Sequence, residues 1–292
     1  MGRKLLVFGG SGFIGGKIVQ KALESWDVLI ASRSGGRIPA GVNWHRADIS
    51  DKGDVTGLFE TLKPDACVNA AALSQIDRAE EDKDLAWKIN VEGAENVAEC
   101  CGTFGSRQIY FSSDAVYDGS ADIYKESDMP DPVNYYGKTK AAAEKAVLSL
   151  DPEAVVVRIS LVLGFPVTDV PSFYTNLRDK LKKPGELYFP VDEYRTPVDV
   201  LTLSECVVEL IDKDFRGVLH IGSTDHANRY ELAGLIAEMM GFDKDRVGIL
   251  NPDREGQKKA PRHKNGIIDV SKARALLDTP LLSVDEGVRR TF

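Results

Sequence analysis

Leu5-Leu6-Val7-Phe8-Gly9-Gly10-Ser11-Gly12-Phe13-Ile14-Gly15-Gly16-Lys17 is the stretch whose reading decides the fold. Its four apolar residues read as a strand, and a helical pattern follows from about Gly12 to Ser25. Between them Gly9, Gly12 and Gly15 stand at G-x-x-G-x-x-G spacing. In such a loop the first glycine permits a tight turn, the second lets backbone approach a pyrophosphate, and the third lets the helix pack close on the strand. The helix N-terminus adds unpaired N–H groups and the positive end of its dipole. A glycine loop alone also has structural uses. With a strand before it and a helix after it, this one predicts a dinucleotide site at Gly9, Ser11, Gly12, Phe13, Ile14 and Gly15.

Outward from the loop, short apolar or β-branched runs alternate with helical patterns. Asp27–Ala31, Val42–Arg46, Ala66–Asn69, Gln108–Ser112 and Ala154–Arg158 read as further strands. Such strands separated by helices predict a parallel sheet covered on both faces, the doubly wound α/β (Rossmann) class. Beyond Ser160 prolines punctuate shorter elements, with helices expected near Val200–Ile211, Arg229–Met240 and Val284–Arg290. The expected division is a dinucleotide-binding domain over 1–160 and a smaller α/β substrate domain over 161–292. Late elements from about 191–213 are expected to return to the first.

The end of the second strand, Ala31-Ser32-Arg33-Ser34, carries no carboxylate to hold a ribose 2′-OH. Arg33 offers a guanidinium fork to a 2′-phosphate, so NADP(H) is favoured over NAD(H), with Ser32 and Arg33 at the contact. A solvated loop arginine is the alternative reading of Arg33.

Tyr136 and Lys140 lie four apart at the start of an Ala- and Glu-rich helical pattern, one turn apart on one face. A cation that close lowers a phenol's pKa and suits it to acid–base work. Alone, this pair is common on exposed helices. Ser112-Ser113-Asp114, however, ends the fifth strand, and open α/β sheets bind ligands at the carboxyl ends of their strands.

Together these segments resemble the extended short-chain dehydrogenase/reductases, and within them the dTDP-4-dehydrorhamnose reductase family. The regulatory subunit of methionine adenosyltransferase is a related group. The glycine loop, Asp48, Asn69-Ala70-Ala71-Ala72, Asn90, Ser113-Asp114-Ala115-Val116-Tyr117, Tyr136/Lys140 and the tail around Arg262 carry the likeness over nearly the whole chain. The resemblance implies Tyr136 as acid/base, with Lys140 as its electrostatic partner and a contact to the nicotinamide ribose. It implies Ser113 at the catalytic Ser/Thr position, with Ser112 facing the other side of the strand. Asp48 and Ile49 would flank adenine, while Asn69, Ala70, Ala71 and Asn90 line the cofactor path. Arg195 and Arg262 are candidates for a substrate diphosphate, and Asn134 for a further substrate contact; a surface ion pair is the alternative for each arginine. The implied reaction is NADPH-dependent reduction of a keto group on a nucleotide-linked sugar. The alternatives are an NAD-dependent sugar-nucleotide epimerase or dehydratase, and a non-catalytic NADP-binding regulatory subunit. Leu161 stands where a tryptophan is common in the family, which leaves base and sugar open.

Composition bounds the partners. A formal net charge of -8 argues against nucleic acid or an anionic membrane. No apolar run reaches the ~20 residues of a membrane span. Met1-Gly2-Arg3-Lys4 leads straight into a strand, and a cytoplasmic protein is expected, with a homodimer as the family-based expectation. Cys67, Cys100, Cys101 and Cys206 form no C-x-x-C pair and read as structural thiols. Gly16-Lys17 replaces the glutamate that follows the loop in metal-binding relatives, and the four histidines have no ligand spacing, so no metal is expected.

Overall fold

The structure is a computed structural model that describes residues 2–35, 38, 41–250 and 260–292. Six parallel strands, β1 (Lys4–Phe8), β2 (Asp27–Ser32), β3 (Asn43–Arg46), β4 (Ala66–Asn69), β5 (Arg107–Ser113) and β6 (Val155–Ile159), are joined by a seventh, Gly217–Ile221. Their spatial order is Gly217–Ile221, β6, β5, β4, β1, β2, β3. The order reverses between β1 and β4, which opens a crevice at the carboxyl ends of the strands.

The centre of the sheet is dry because both faces are covered. Side chains alternate across a strand. Leu5, Val7, Val28, Ile30 and Val68 pack with Ile18 and Val19 of the helix Phe13–Ala22, and with Leu203, Val207 and Leu210 of the helix Val200–Asp212. Leu6, Phe8, Leu29, Ala31 and Cys67 face the other way, against Val55, Phe59, Val97 and Cys101. All four cysteines are buried and free of disulfides, as structural thiols would be.

The seventh strand was not among the strands expected from sequence. Its run Val218-Leu219-His220-Ile221 holds one histidine, which the fold buries completely. Tyr117 Oη lies 2.8 Å from His220 Nε2, and the Asp269 carbonyl lies 3.1 Å from Nδ1, so both ring nitrogens are satisfied. Burial first, then Arg158, holds the imidazole down at about 4, in its neutral form.

The remaining C-terminal elements form a second cluster around Tyr174, Leu177, Leu232, Ile236 and Val288. A three-stranded ribbon, Ala227–Asn228, Tyr194–Arg195 and Asn265–Gly266, carries that cluster to the open end of the large sheet. Among the described residues no helix is long and apolar enough to cross a membrane.

Candidate active site

The loop after β1 is built around contacts only glycine permits. Gly9 has φ +76°, and a Cβ there would lie 2.8 Å from the Ala71 nitrogen. A Cβ on Gly15 would lie 2.2 Å from the Gly9 carbonyl oxygen, which forces the helix start against the loop. Gly12 caps the helix Phe13–Ala22 with no side-chain hydrogen bond, and no acidic residue occupies the first turn. The N-terminal N–H groups are thus left for an anion. Beside the loop, Asn69 at the end of β4 is buried; its Oδ1 accepts from Ala71 N at 3.2 Å, and its Nδ2 has no partner among the described residues. A glycine cradle with an orphaned amide beside it fits a dinucleotide.

The other cofactor-side residues divide into two kinds. Arg33 is exposed at the end of β2 and, with Lys88, acts on Asp48. Burial works to raise the Asp48 carboxyl, but hydrogen bonds from Ser50 and these two cations leave it below its ordinary value. Ile49 is buried beneath Gly93, and Phe13 and Ile14 pack on the core below the loop. Ser32 and Asn90 are engaged within the protein. Ser32 donates to the Ser34 carbonyl at 2.9 Å and accepts from Trp44 Nε1 at 2.9 Å, bracing the turn that carries Arg33. Asn90 sits in a π-helical turn, Lys88–Glu92, accepting from Leu73 N at 2.8 Å and donating to Thr139 Oγ1 at 2.9 Å. It ties the chain after β4 to the Tyr136 helix.

That helix, Tyr135–Leu150, is fixed at its start by two caps. Asn134 Oδ1 accepts from Gly137 N at 2.8 Å, and Glu80 Oε2 accepts from Tyr135 N at 3.0 Å. Asn134 Nδ2 also donates to the Pro261 carbonyl at 3.1 Å. The side chain expected to touch substrate therefore anchors the helix and the C-terminal tail. Gly137 lets the helix approach the turn Asp114–Val116 that follows β5, for a Cβ there would lie 2.0 Å from the Ala115 carbonyl oxygen.

These anchors bring Tyr136 against Ser113, with Lys140 one helical turn on and turned toward Tyr110. Ser113 Oγ accepts from Ala115 N at 3.1 Å and donates to Asp114 Oδ1 at 3.0 Å. Ser112 is buried on the opposite face, with no partner for its hydroxyl among the described residues. The Tyr136 ring is half-buried and its hydroxyl enclosed. Burial pushes the phenol up to about 12, which the Ser113 hydroxyl partly opposes. This reverses the expected lowering by Lys140. Burial decides the direction, and Lys140 is turned elsewhere: its Nζ donates to Tyr110 Oη at 2.7 Å and lies 4.4 Å from the Tyr110 ring centre. Burial in turn brings Lys140 down to about 7, with Glu144 holding it up.

A testable consequence follows for stability. The folded Lys140 releases its proton near 7, whereas an unfolded lysine keeps it to its ordinary 10.5. The unfolded chain binds more protons between these values, so stability rises with pH across that window. Denaturant unfolding of the parent and Lys140→Met from pH 6 to 10 should show the parent gaining on the variant as pH rises. A pH-independent difference would refute the assignment.

Beneath the site two buried ion pairs hold its floor. Arg158 donates to Glu144 through Nε at 2.9 Å and Nη2 at 2.6 Å, and through Nη1 to Tyr117 Oη at 2.6 Å. Asp114 Oδ2 accepts from Ser160 Oγ at 2.6 Å and lies 3.4 Å from His263 Nε2 and 3.6 Å from Arg195 Nε. Burial alone would raise Asp114, but His263, Arg195 and Ser160 hold it at about 2. Asp114 is thus an ionised acceptor that fixes the Ser113 proton. Arg195 is spent within the protein: its Nη1 donates to the Tyr194 and Lys264 carbonyls and its Nη2 to His263 O. Arg262 pairs with Asp77 at 3.0 Å and the Ala260 carbonyl at 2.9 Å. His263 and Tyr110 were not read as site residues from the sequence. Among the described residues no group of three His, Cys, Asp or Glu side chains is placed to hold a metal ion.

Comparison with known proteins shows the family and the fold. The family model described as the RmlD substrate binding domain matches residues 3–292. Methionine adenosyltransferase 2 subunit beta of Xenopus laevis is 30% identical over 99% of this chain and 87% of its own length. A dTDP-4-dehydrorhamnose reductase of Mycolicibacterium smegmatis is 27% identical over 99% of this chain and 85% of its own. The crystal structure of dTDP-4-dehydrorhamnose reductase from Bacillus anthracis in complex with NADP superposes with a TM-score of 0.87 at 25% identity, covering 100% of this chain and 99% of that one.

Proposed function

Since this chain belongs to the RmlD substrate binding domain family, we propose that it is an NADPH-dependent reductase of a keto group on a nucleotide-linked sugar. The observation that carries the proposal is the Tyr136 phenol, kept protonated by burial beside Ser113, with Lys140 one helical turn on. A reductase needs a proton donor, and a phenol at about 12 stays loaded at neutral pH. The glycine loop, Asn69 and Arg33 hold the cofactor, which supplies the hydride when bound. Tyr136 passes its proton to the carbonyl oxygen as the carbon is reduced, leaving an alcohol. Ser113, its own proton fixed by Asp114, orients the Tyr136 hydroxyl. Lys140 supplies positive charge behind the phenol and stabilises the phenolate formed on proton transfer. A cytoplasmic location and a homodimer through the sheet-flanking helices belong to the same proposal.

The likeness to a methionine adenosyltransferase subunit supports a second reading, a cofactor-holding regulatory subunit. A panel of 4-keto sugar nucleotides assayed with NADPH and NADH separates the two. The reductase reading expects substrate-dependent NADPH oxidation. No turnover across the panel, together with stable association with another enzyme, would establish the regulatory one.

The cofactor preference has its own test. Arg33→Ala should weaken NADPH binding about tenfold, equivalent to ~1.4 kcal/mol, and leave NADH unaffected. Calorimetric titration of both nucleotides measures it, and an unchanged NADPH/NADH ratio would remove Arg33 from the site.

A further inference from the structure

Three arginines converge where the C-terminal ribbon meets the catalytic end of the sheet, and hydrogen-bond accounting distinguishes them. A guanidinium carries five N–H donors. Arg195 commits its donors to Asp114 and to the Tyr194, Lys264 and His263 carbonyls. Arg262 is bound by Asp77 and the Ala260 carbonyl. Arg229 differs from both. Its backbone N–H reaches the Glu193 carbonyl at 3.1 Å, which places it next to the Tyr194–Arg195 strand. Its guanidinium lies 4.7 Å above the Phe173 ring, and among the described residues no hydrogen bond or ion pair takes it up. Burial, Arg195 and Arg262 all disfavour its charge, while Glu193 and Asp114 favour it.

A half-buried guanidinium over an aromatic ring, beside two other cations and with no hydrogen bond among the described residues, is placed to take up an anion. Its fork matches phosphate oxygens in pairs. Arg195 connects this place to the reaction centre, because the carboxylate it faces, Asp114, also takes the Ser113 proton. An anion at Arg229 would therefore sit on the substrate side of Ser113 and Tyr136.

We propose that Arg229, backed by Phe173, grips the diphosphate of the sugar nucleotide, while Arg195 and Arg262 shape the walls around it. This rests on the reductase reading and assigns the phosphate contact to a residue that no sequence motif marked. It makes Arg229 a binding residue, so its loss should raise KM and leave kcat near the parental value.

The experiment is calorimetric titration of dTDP and UDP into the full-length protein saturated with NADPH. Arg229→Ala should weaken the nucleotide that the parent binds by about 10- to 100-fold, the range of a lost charge-assisted contact. Arg229→Lys keeps the charge and the stem over Phe173 but not the fork, and should weaken it by several-fold. It decides the matter if the alanine variant fails to fold. NADPH affinity should be parental in both. A variant, folded by that criterion, that binds the nucleotide as tightly as the parent overturns the assignment while the reductase reading stands. A parent that binds neither nucleotide overturns both.

Discussion

Tyr136→Phe should lower kcat by about 10²- to 10⁴-fold, the usual worth of a positioned proton donor, or about 3 to 5 kcal/mol of transition-state stabilisation. NADPH affinity and melting temperature should stay near the parental values. The substitution removes one hydroxyl and keeps the ring that packs beside the Leu6–Phe59 cluster. The glycine loop and Asn69, proposed to hold the dinucleotide, lie after β1 and at the end of β4. The pH dependence adds a second, independent reading. With Tyr136 held up at about 12, deprotonation of the acid does not limit the parent in the ordinary range. The alkaline decline should instead follow Lys140, brought down to about 7 by burial, and shift upward to the extent that bound phosphates favour its charge. Steady-state NADPH oxidation from pH 6 to 10 checks both points. A phenylalanine variant retaining more than about a tenth of parental kcat would sink the acid role, given the lower bound expected of such a group.

What could be read from the chain, and what could not, follows from how far apart the interacting residues lie. The glycine loop declares itself because its three glycines, the strand and the helix all fall within one short segment, where sequence spacing is spatial spacing. Tyr136 and Lys140 are legible as neighbours for the same reason, being one helical turn apart. The sense of the tyrosine's shift was not legible. It depends first on burial of the phenol, a property of the fold, while Lys140 is turned toward Tyr110, thirty residues before it on β5. Asp114 and His263 meet across 149 residues, and nothing local at either position announces the other. Arg195 and Arg262 were readable as cations, but their commitment to internal carbonyls and to Asp77 is a property of the folded ribbon. Arg229 went unremarked beside Asn228, although Asn228 is a sequence-visible cap, accepting from Glu231 N at 2.8 Å. A cap fixes where its neighbour starts the helix, so the cap's position was the available clue to a pre-oriented arginine. The strand Gly217–Ile221 escaped because its histidine reads as polar until Tyr117 and Asp269 are seen to satisfy it.

Glu144→Ala should be among the most damaging single changes to stability, and its cost should be separable from its effect on the site. The carboxylate is buried and receives two donors from Arg158, itself 3% exposed. Removing it leaves a buried guanidinium with only Tyr117 Oη and a long contact to the Glu126 carbonyl among the described residues, which costs about 3–5 kcal/mol. For a chain of this size that corresponds to a melting temperature lower by about 10 °C, measurable by scanning calorimetry. Replacing both partners with apolar residues, Glu144→Leu with Arg158→Met, should recover most of that loss, since no charge is then stranded. The electrostatic effect should not recover. Glu144 is the group that holds Lys140 up, and the double variant lacks it just as the single one does. Both variants should therefore lose activity at lower pH than the parent as Lys140 deprotonates earlier. If the double variant regained stability and the parental pH profile together, Glu144 would be only a packing partner of Arg158. If it regained stability while its alkaline limb stayed displaced, the buried pair would be serving the active site by keeping the lysine behind Tyr136 charged.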